Sequence, residues 1–430
     1  MDKDRIILDM GTLSGSLIKH DLFNPIHLRY TVTLDHDIDE ELLKKAWDKT
    51  KKVYPVIDSV LEFDHGNADF YRKLAAMKPE ERITYLGDHM YLMRAENGVN
   101  DPVKTKVPVN PGTQLVGGRI INISFYERTV SISAYHVLVD GGGLNMIFST
   151  FLYSYLASYT GHEDENPIVE LTEGRKLEDY YVEADSQLIF AQEYTPVPLF
   201  TMPFMCKGFR DKDMFNDGIN VYSGSVDISA ADFMKFCKEN GANPSSMLCA
   251  LLAKASYALN PEENRNIVFG LTLSARKMLG IENTIANADG CAIAYTSRDD
   301  MTNKSIADVS RKIRKDLDMQ RSKDYYVSYG RLIKTYKVAP DFQAMTVTYV
   351  GKVNIGDNNS HIVDFSMETN GDSNLYLMQL NDKFILTLQY GKATEKYLNE
   401  FNKIFTEYGI KSEISHPAHY VDKDSNEAVL

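Results

Sequence analysis

His136 and Asp140 stand four positions apart, and Gly141, Gly142 and Gly143 follow them directly. These are the residues of the chain whose types and spacing could do chemistry. A neutral imidazole has a reference pKa near neutrality, so it can take a proton from a nucleophile as a bond forms. A positioned general base of this kind contributes roughly 10²–10⁴ in rate. A histidine on an apolar face can equally be a hydrogen-bonded core residue, and its setting has to decide between the two. An aspartate four residues on could orient the imidazole, or could shape the turn without meeting the reacting atoms. No serine or cysteine sits in a G-x-S-x-G elbow, so direct attack rather than a covalent intermediate is the natural mechanism.

The elements that must position these residues are legible around them. Thr129–Ala134 alternates small polar and apolar residues, the pattern of a half-buried strand. Val130, Ile132, Ala134 and His136 share one parity, so the imidazole leaves the strand end on the inward face, and Tyr135 has the opposite parity. Leu144, Ile147, Phe148, Phe151, Leu152 and Tyr155 recur at helical spacing and predict a buried helix over 144–159. The three glycines between strand and helix point to positive φ and close backbone approach. Arg119–Tyr126 reads as the other arm of a hairpin turning at Glu127-Arg128.

Elsewhere the order is strand 25–34, a helix capped by Asp39 and ending before Pro55, and strand 56–63. Residues 64–112 are polar and turn-rich, with a short helix expected around Pro79–Leu86. Prolines and acidic runs over 160–220 mark a crossover. The second half restarts with strand 221–227, and Ser229 caps a helix that ends at Gly241. Asn243-Pro244 opens another helix through 259. A strand over 266–276 ends in Arg276, and a strand at 291–296 and a helix at 305–321 follow. Strands near 343–351, 361–368, 374–380 and 383–390 and a helix at 395–408 complete the chain. Each half runs strand, helix, strands, helix. The domain reading is a lobe over 1–165, a crossover over 166–220 and a second lobe over 221–430.

With 430 residues and 43% hydrophobic content, the chain is long enough for two packed lobes. The net charge of −13 opposes binding to nucleic acid or to an anionic membrane. No run is long enough for a membrane span, and the start lacks the apolar core of a secretory signal. Cys206, Cys237, Cys249 and Cys291 are far apart, which suits reduced thiols in a cytoplasm. His416 and His419 could be half of a metal site, but no thiolate lies near them and no metal is expected.

The stretch His136-x-x-x-Asp140-Gly141 resembles the His-His-x-x-x-Asp-Gly signature of chloramphenicol acetyltransferase-like acyltransferases, with Tyr135 in place of the first histidine. That superfamily includes condensation domains and alcohol acetyltransferases. The likeness extends from about residue 20 to 410, through the 243–259 helix, Gly270–Arg276, Ala286-Asn287-Ala288 and Thr346–Lys352. The Asp-Phe-Gly-Trp-Gly signature of the plant branch is absent. The resemblance implies an α/β fold of two lobes, mixed sheets flanked by helices, with a tunnel between them. It implies His136 as general base, and Asp140, Gly141 and Arg276 as residues that shape the site, with Arg276 pairing Asp140. Asn287 and Ser274 are candidates for a substrate or oxyanion contact. The reaction implied is acyl transfer from an acyl-CoA or acyl-phosphopantetheine co-substrate to an alcohol or amine, with no permanently bound cofactor. The alcohol acetyltransferase branch fits a chain that stands alone. A free-standing condensation enzyme working with an acyl or peptidyl carrier protein, and a catalytically silent binding module of the same fold, are the rival readings.

Overall fold

The computed structural model describes residues 5–7, 26–63, 67–78, 90–95, 100–109, 118–136, 138–162, 193–199, 208–214, 221–336, 345–369 and 374–421. In the first half, strand β1 (Arg5–Ile7) is followed by β2 (His27–Leu34), helix α1 (Glu40–Val53), β3 (Ser59–Phe63), α2 (Asn67–Ala76), β4 (Met90–Arg94) and β5 (Val103–Lys104). The hairpin β6 (Ile121–Tyr126) and β7 (Thr129–Tyr135) then leads into α3 (Gly141–Thr160). Asp39 caps α1 by accepting from the Glu41 and Leu42 amides. Pro55 opens a 3-10 turn over Pro55–Asp58, so the strand expected from residue 56 starts only at Ser59. Residues 67–76, expected to be turn-rich, are helical, and the helix expected around 79–86 lies outside the described residues.

The second half runs β8 (Val221–Ser229), α4 (Ala230–Glu239), α5 (Pro244–Leu259), β9 (Ile267–Ser274), the short turn of helix α6 (Arg276–Leu279), β10 (Asp289–Thr296) and α7 (Arg298–Asn303). It continues through α8 (Ile306–Asp318), α9 (Lys323–Tyr336), β11 (Met345–Lys352), β12 (Ile362–Thr369), β13 (Asn374–Leu380), β14 (Lys383–Gln389), α10 (Thr394–Glu407) and β15 (Ser412–Val421). Gly241 sits just past α4 with a left-handed φ of 64°. Asn243 and Ser246 form a reciprocal capping box on α5, with Pro244 in its first turn.

Three sheets result among the described residues. The five-stranded sheet has the order β12-β2-β7-β6-β5, the seven-stranded sheet the order β10-β9-β11-β13-β14-β8-β15, and β1-β4-β3 form a small third. Residues 362–369, which lie in the part of the chain read as the second lobe, pair antiparallel with β2 and so extend the sheet of the first half. Each large sheet carries a helix apolar on nearly every side, α3 in one core and α5 in the other. The seven-stranded sheet contributes to both cores: Tyr376, Met378 and Ile385 belong to the first, Leu375, Leu377 and Leu386 to the second. Alternation along β13 and β14 thus joins the two halves through a shared sheet. No described helix is long and apolar enough to cross a membrane.

Candidate active site

His136 directly follows β7, on the parity of Val130, Ile132 and Ala134, which are fully buried. Its backbone amide donates to Ile26 O at 2.9 Å, so the strand pairing runs to the residue itself. The ring Nδ1 lies 3.1 Å from the Val139 carbonyl oxygen. A carbonyl only accepts, so Nδ1 carries the proton and the neutral ring leaves Nε2 as its lone pair. Burial lowers the His136 pKa from its ordinary value, against smaller opposing contributions from backbone hydrogen bonds and Asp140. The neutral, proton-accepting form is therefore the favoured one near pH 7.

The turn that carries His136 is clamped from the other half of the chain. Asp140 is fully buried at the head of α3, where its Oδ1 accepts from the Gly143 amide at 2.7 Å as an N-cap. Arg276, 136 residues away in sequence, grips the same carboxylate with both terminal nitrogens, at 2.9 Å to Oδ2 and 2.7 Å to Oδ1. The Ala288 amide donates to Oδ2 at 2.8 Å. The guanidinium is fixed in turn by the carbonyls of Thr284 at 2.9 Å and Ala286 at 2.8 Å. This is the bidentate, charge-assisted arrangement a buried pair needs to offset its desolvation. Asp140 makes no hydrogen bond to the imidazole; its place is structural.

Sequence spacing expected Arg276 to end a strand. β9 instead stops at Ser274, and Arg276 opens α6, which turns its side chain back toward Asp140. None of Gly141, Gly142 and Gly143 has a left-handed φ, which corrects the expectation of positive φ there. Close approach is the physical reason for Gly143, because a Cβ there would overlap the Ile285 carbonyl. At Gly142 a Cβ would meet Arg276 Nη1 at 2.9 Å. Gly141 gives its carbonyl to the buried Tyr30 hydroxyl at 2.9 Å.

The two oxyanion candidates are both placed on this frame. Asn287 donates through Nδ2 to the His136 carbonyl at 3.2 Å and so holds the turn's backbone. Ser274 Oγ accepts from Arg276 Nη1 at 3.4 Å. Tyr135 is 2% exposed, lies in the first core opposite His27, and is packing in that position.

One residue of the site escaped the sequence reading. Asp289, half-buried at the start of β10, has its carboxyl held well above the usual carboxylate range, first by burial and then by the charge of Asp140, to which it hydrogen-bonds. Tyr326 donates to its backbone carbonyl at 3.1 Å. Burial and the Asp140 charge thus favour the protonated form of this carboxyl beside the Asp140–Arg276 pair. The thiols are poor nucleophiles by comparison, since burial pushes Cys237 and Cys291 up to about 12.

No protein-family model and no curated protein sequence matches the chain. Solved structures do. Polyketide synthase associated protein 5 from Mycobacterium tuberculosis superposes with a TM-score of 0.60 at 15% identity, over 94% of this chain and 100% of that one. F. sporotrichioides TRI101 complexed with coenzyme A and T-2 gives 0.60 at 9% identity, over 97% and 99%. TRI3, the trichothecene 15-O-acetyltransferase from Fusarium sporotrichioides, gives 0.60 at 11% identity, over 94% and 96%. The chain has the chloramphenicol acetyltransferase-like fold. Within that fold, His136 lies at the end of a strand of the first sheet, and the residues that hold its turn come from the second half of the chain.

Proposed function

We propose that the protein is an acyltransferase that moves an acyl group from a thioester donor to an alcohol or amine, with His136 as general base. The observation that carries this is the bond from His136 Nδ1–H to the Val139 carbonyl, which leaves Nε2 as a free base on a ring that burial keeps neutral. Nε2 takes the proton from the acceptor's hydroxyl or amine as its oxygen or nitrogen attacks the thioester carbonyl. The tetrahedral intermediate then collapses, the carbon–sulfur bond breaks, and the proton passes to the departing thiolate. No enzyme-bound acyl group is required, in keeping with thiols whose pKa is raised by burial.

The donor is an acyl-CoA in this reading, supported by the likeness in fold to TRI101, whose structure holds coenzyme A. A channel between the two halves, meeting at the His136 turn, would admit donor and acceptor from outside. Asp140, Gly141, Arg276 and Asn287 position that turn, and Asn287 and Ser274 stay the candidates for a substrate or oxyanion contact. The intact His136, Asp140 and Gly141 argue against a silent binding module.

The test is release of free thiol from a panel of acyl-CoAs, with and without alcohols and amines, by the parent and His136→Gln. Acceptor-dependent release by the parent, absent in the variant, is expected. No release with any donor, or equal release by the variant, overturns the assignment.

A further inference from the structure

A second constellation lies at the other end of β2. That strand has eight residues, and at about 3.3 Å per residue it separates this place from the His136 turn by about 25 Å. Asp35 follows β2, His36 is next to it, and His361 precedes β12; Asp35 and His361 are 326 residues apart in sequence. The Asp35 carboxylate faces both rings, with Oδ1 2.5 Å from His36 Nδ1 and Oδ2 3.0 Å from His361 Nδ1. One ligand atom of each residue lies within 4.8 Å of the other two.

The cluster is held rigidly. The Asp35 amide donates to the His361 carbonyl at 3.0 Å, fixing the two segments against each other. The His36 ring lies flat on Tyr159, with centroids 3.7 Å apart and planes within 5°. Tyr155 stacks beyond, its hydroxyl accepting from the Asp39 amide at 3.0 Å. The two imidazoles stand at 81° to each other, their centroids 5.9 Å apart. His36 Nε2 is buried and has no hydrogen-bond partner among the described residues, so the stack and Asp35 orient this ring. The side chain of Asp35 is 45% exposed and that of His361 28%, which leaves a path from solvent.

We propose that Asp35, His36 and His361 form a binding site for a divalent transition-metal ion of the zinc type, which ties β12 to β2. Two imidazole nitrogens and one carboxylate oxygen are a three-ligand zinc set, whereas calcium and magnesium require oxygen ligands throughout. Zinc held at 2.0–2.1 Å from tetrahedral ligands needs those ligands about 3.3 Å apart, within the 4.8 Å that already encloses one ligand atom of each residue, so small side-chain rotations close the site. On binding, each neutral ring carries its proton on Nε2 and gives the Nδ1 lone pair to the ion, and water completes the shell. The ion then bridges the first strand of the sheet and the strand that the C-terminal half adds to it. It is structural in this role and independent of acyl transfer at His136.

The test uses the full chain after chelator treatment, titrated with zinc by calorimetry and with cobalt by visible absorption. One equivalent per chain should bind with micromolar or tighter affinity, and zinc should raise the melting temperature while magnesium does not. Asp35→Asn and His361→Gln should each weaken binding by at least about tenfold. His36→Phe keeps the ring on Tyr159 and removes its nitrogens, so it should fold and lose the cobalt spectrum. His419→Gln, at an exposed histidine outside the cluster, should leave zinc and cobalt binding unchanged. Absence of saturable binding, or stoichiometric binding that survives in the Asp35→Asn/His361→Gln double variant, overturns the site. Thiol release measured on the same samples reports separately on His136.

Discussion

Breaking the Asp140–Arg276 pair should destabilise the protein asymmetrically, and Asp289 is the reason. Arg276 is 7% exposed and Asp140 not at all, so neither charge can be rehydrated in place. Removing one partner of such a pair costs about 3–5 kcal/mol. Asp140→Ala loses in addition the cap on Gly143, worth about 1 kcal/mol, but it leaves Arg276 beside Asp289. Without the charge of Asp140, the Asp289 carboxyl can ionise and take over part of the guanidinium's pairing. Arg276→Ala has no such relief, because two carboxyls then face each other with no cation. One of them must stay protonated, and its folded pKa lies above the unfolded value. Arg276 opposes protonation of this carboxyl pair in the parent, so the folded variant binds more protons than the folded parent and its deficit should grow as pH rises from about 4. Arg276→Ala should therefore be the more damaging change at pH 7. The double variant should lose clearly less than the sum of the singles, with a coupling of at least about 2 kcal/mol. Guanidinium midpoints of parent, both singles and the double at pH 5 and 7.5 measure this, and thiol release should fall in all three variants. Additive losses, or Asp140→Ala as the worse single at both pH values, would refute the account of the clamp.

Other outcomes follow from the same geometry. His136→Gln should abolish thiol release with stability within about 1–2 kcal/mol of the parent, and the parent's kcat/KM should fall only below about pH 6.5, because burial lowers the His136 pKa. The same lowered pKa makes the parent gain stability as pH rises toward 6.5, a slope that His136→Gln should flatten in melting scans. His416 and His419 carry the opposite sign, since Asp364 and Glu368 raise their pKa values: their stabilisation is full below about pH 6.5 and is lost above it. Replacing both with Gln should lower the melting temperature at pH 5.5 more than at pH 8.5. Gly143→Ala, which overlaps the Ile285 backbone, should be poorly folded or inactive, while Gly142→Ala, which crowds the clamped Arg276 Nη1 at 2.9 Å, should be impaired less; equal yields and rates for the two would count against the close approach at Ile285. Tyr135→Phe should change turnover by less than tenfold in the thiol assay, as suits a residue buried in the first core.

What was legible in the sequence is what local chemistry encodes. Asp39, Ser229 and Asn243 announce helix starts because an N-cap acts within three residues of itself. Parity along β7 placed His136 and Tyr135 on opposite faces, because the strand period is two. Arg276 was legible as a partner of Asp140 through family likeness and through charge, since a carboxylate at the head of an apolar helix needs a cation. What was not legible depends on partners distant in sequence. Residues 412–421 lie past the last element that the sequence predicts, yet they form an edge strand whose His416 meets Asp364 at 3.0 Å and whose His419 lies 3.6 Å from Glu368. Each of these histidines is turned toward a carboxylate of β12. β12 itself looks like any strand of the second half, and only its register against β2 shows that it completes the first sheet.

Gly143 joins these two kinds of information. A glycine after Asp-Gly-Gly is most simply read as a backbone turn, and its φ is in fact ordinary. The requirement comes from Ile285, in a segment more than a hundred residues further along, whose carbonyl occupies the space where a side chain would start. That approach also brings Ala286 into a bridge with Val139, Asn287 onto the His136 carbonyl and the Ala288 amide onto Asp140. Val139 is the residue whose carbonyl takes the His136 Nδ1 proton. The absence of one Cβ therefore lets the 284–288 segment reach the turn, and the turn fixes which nitrogen of His136 is the base.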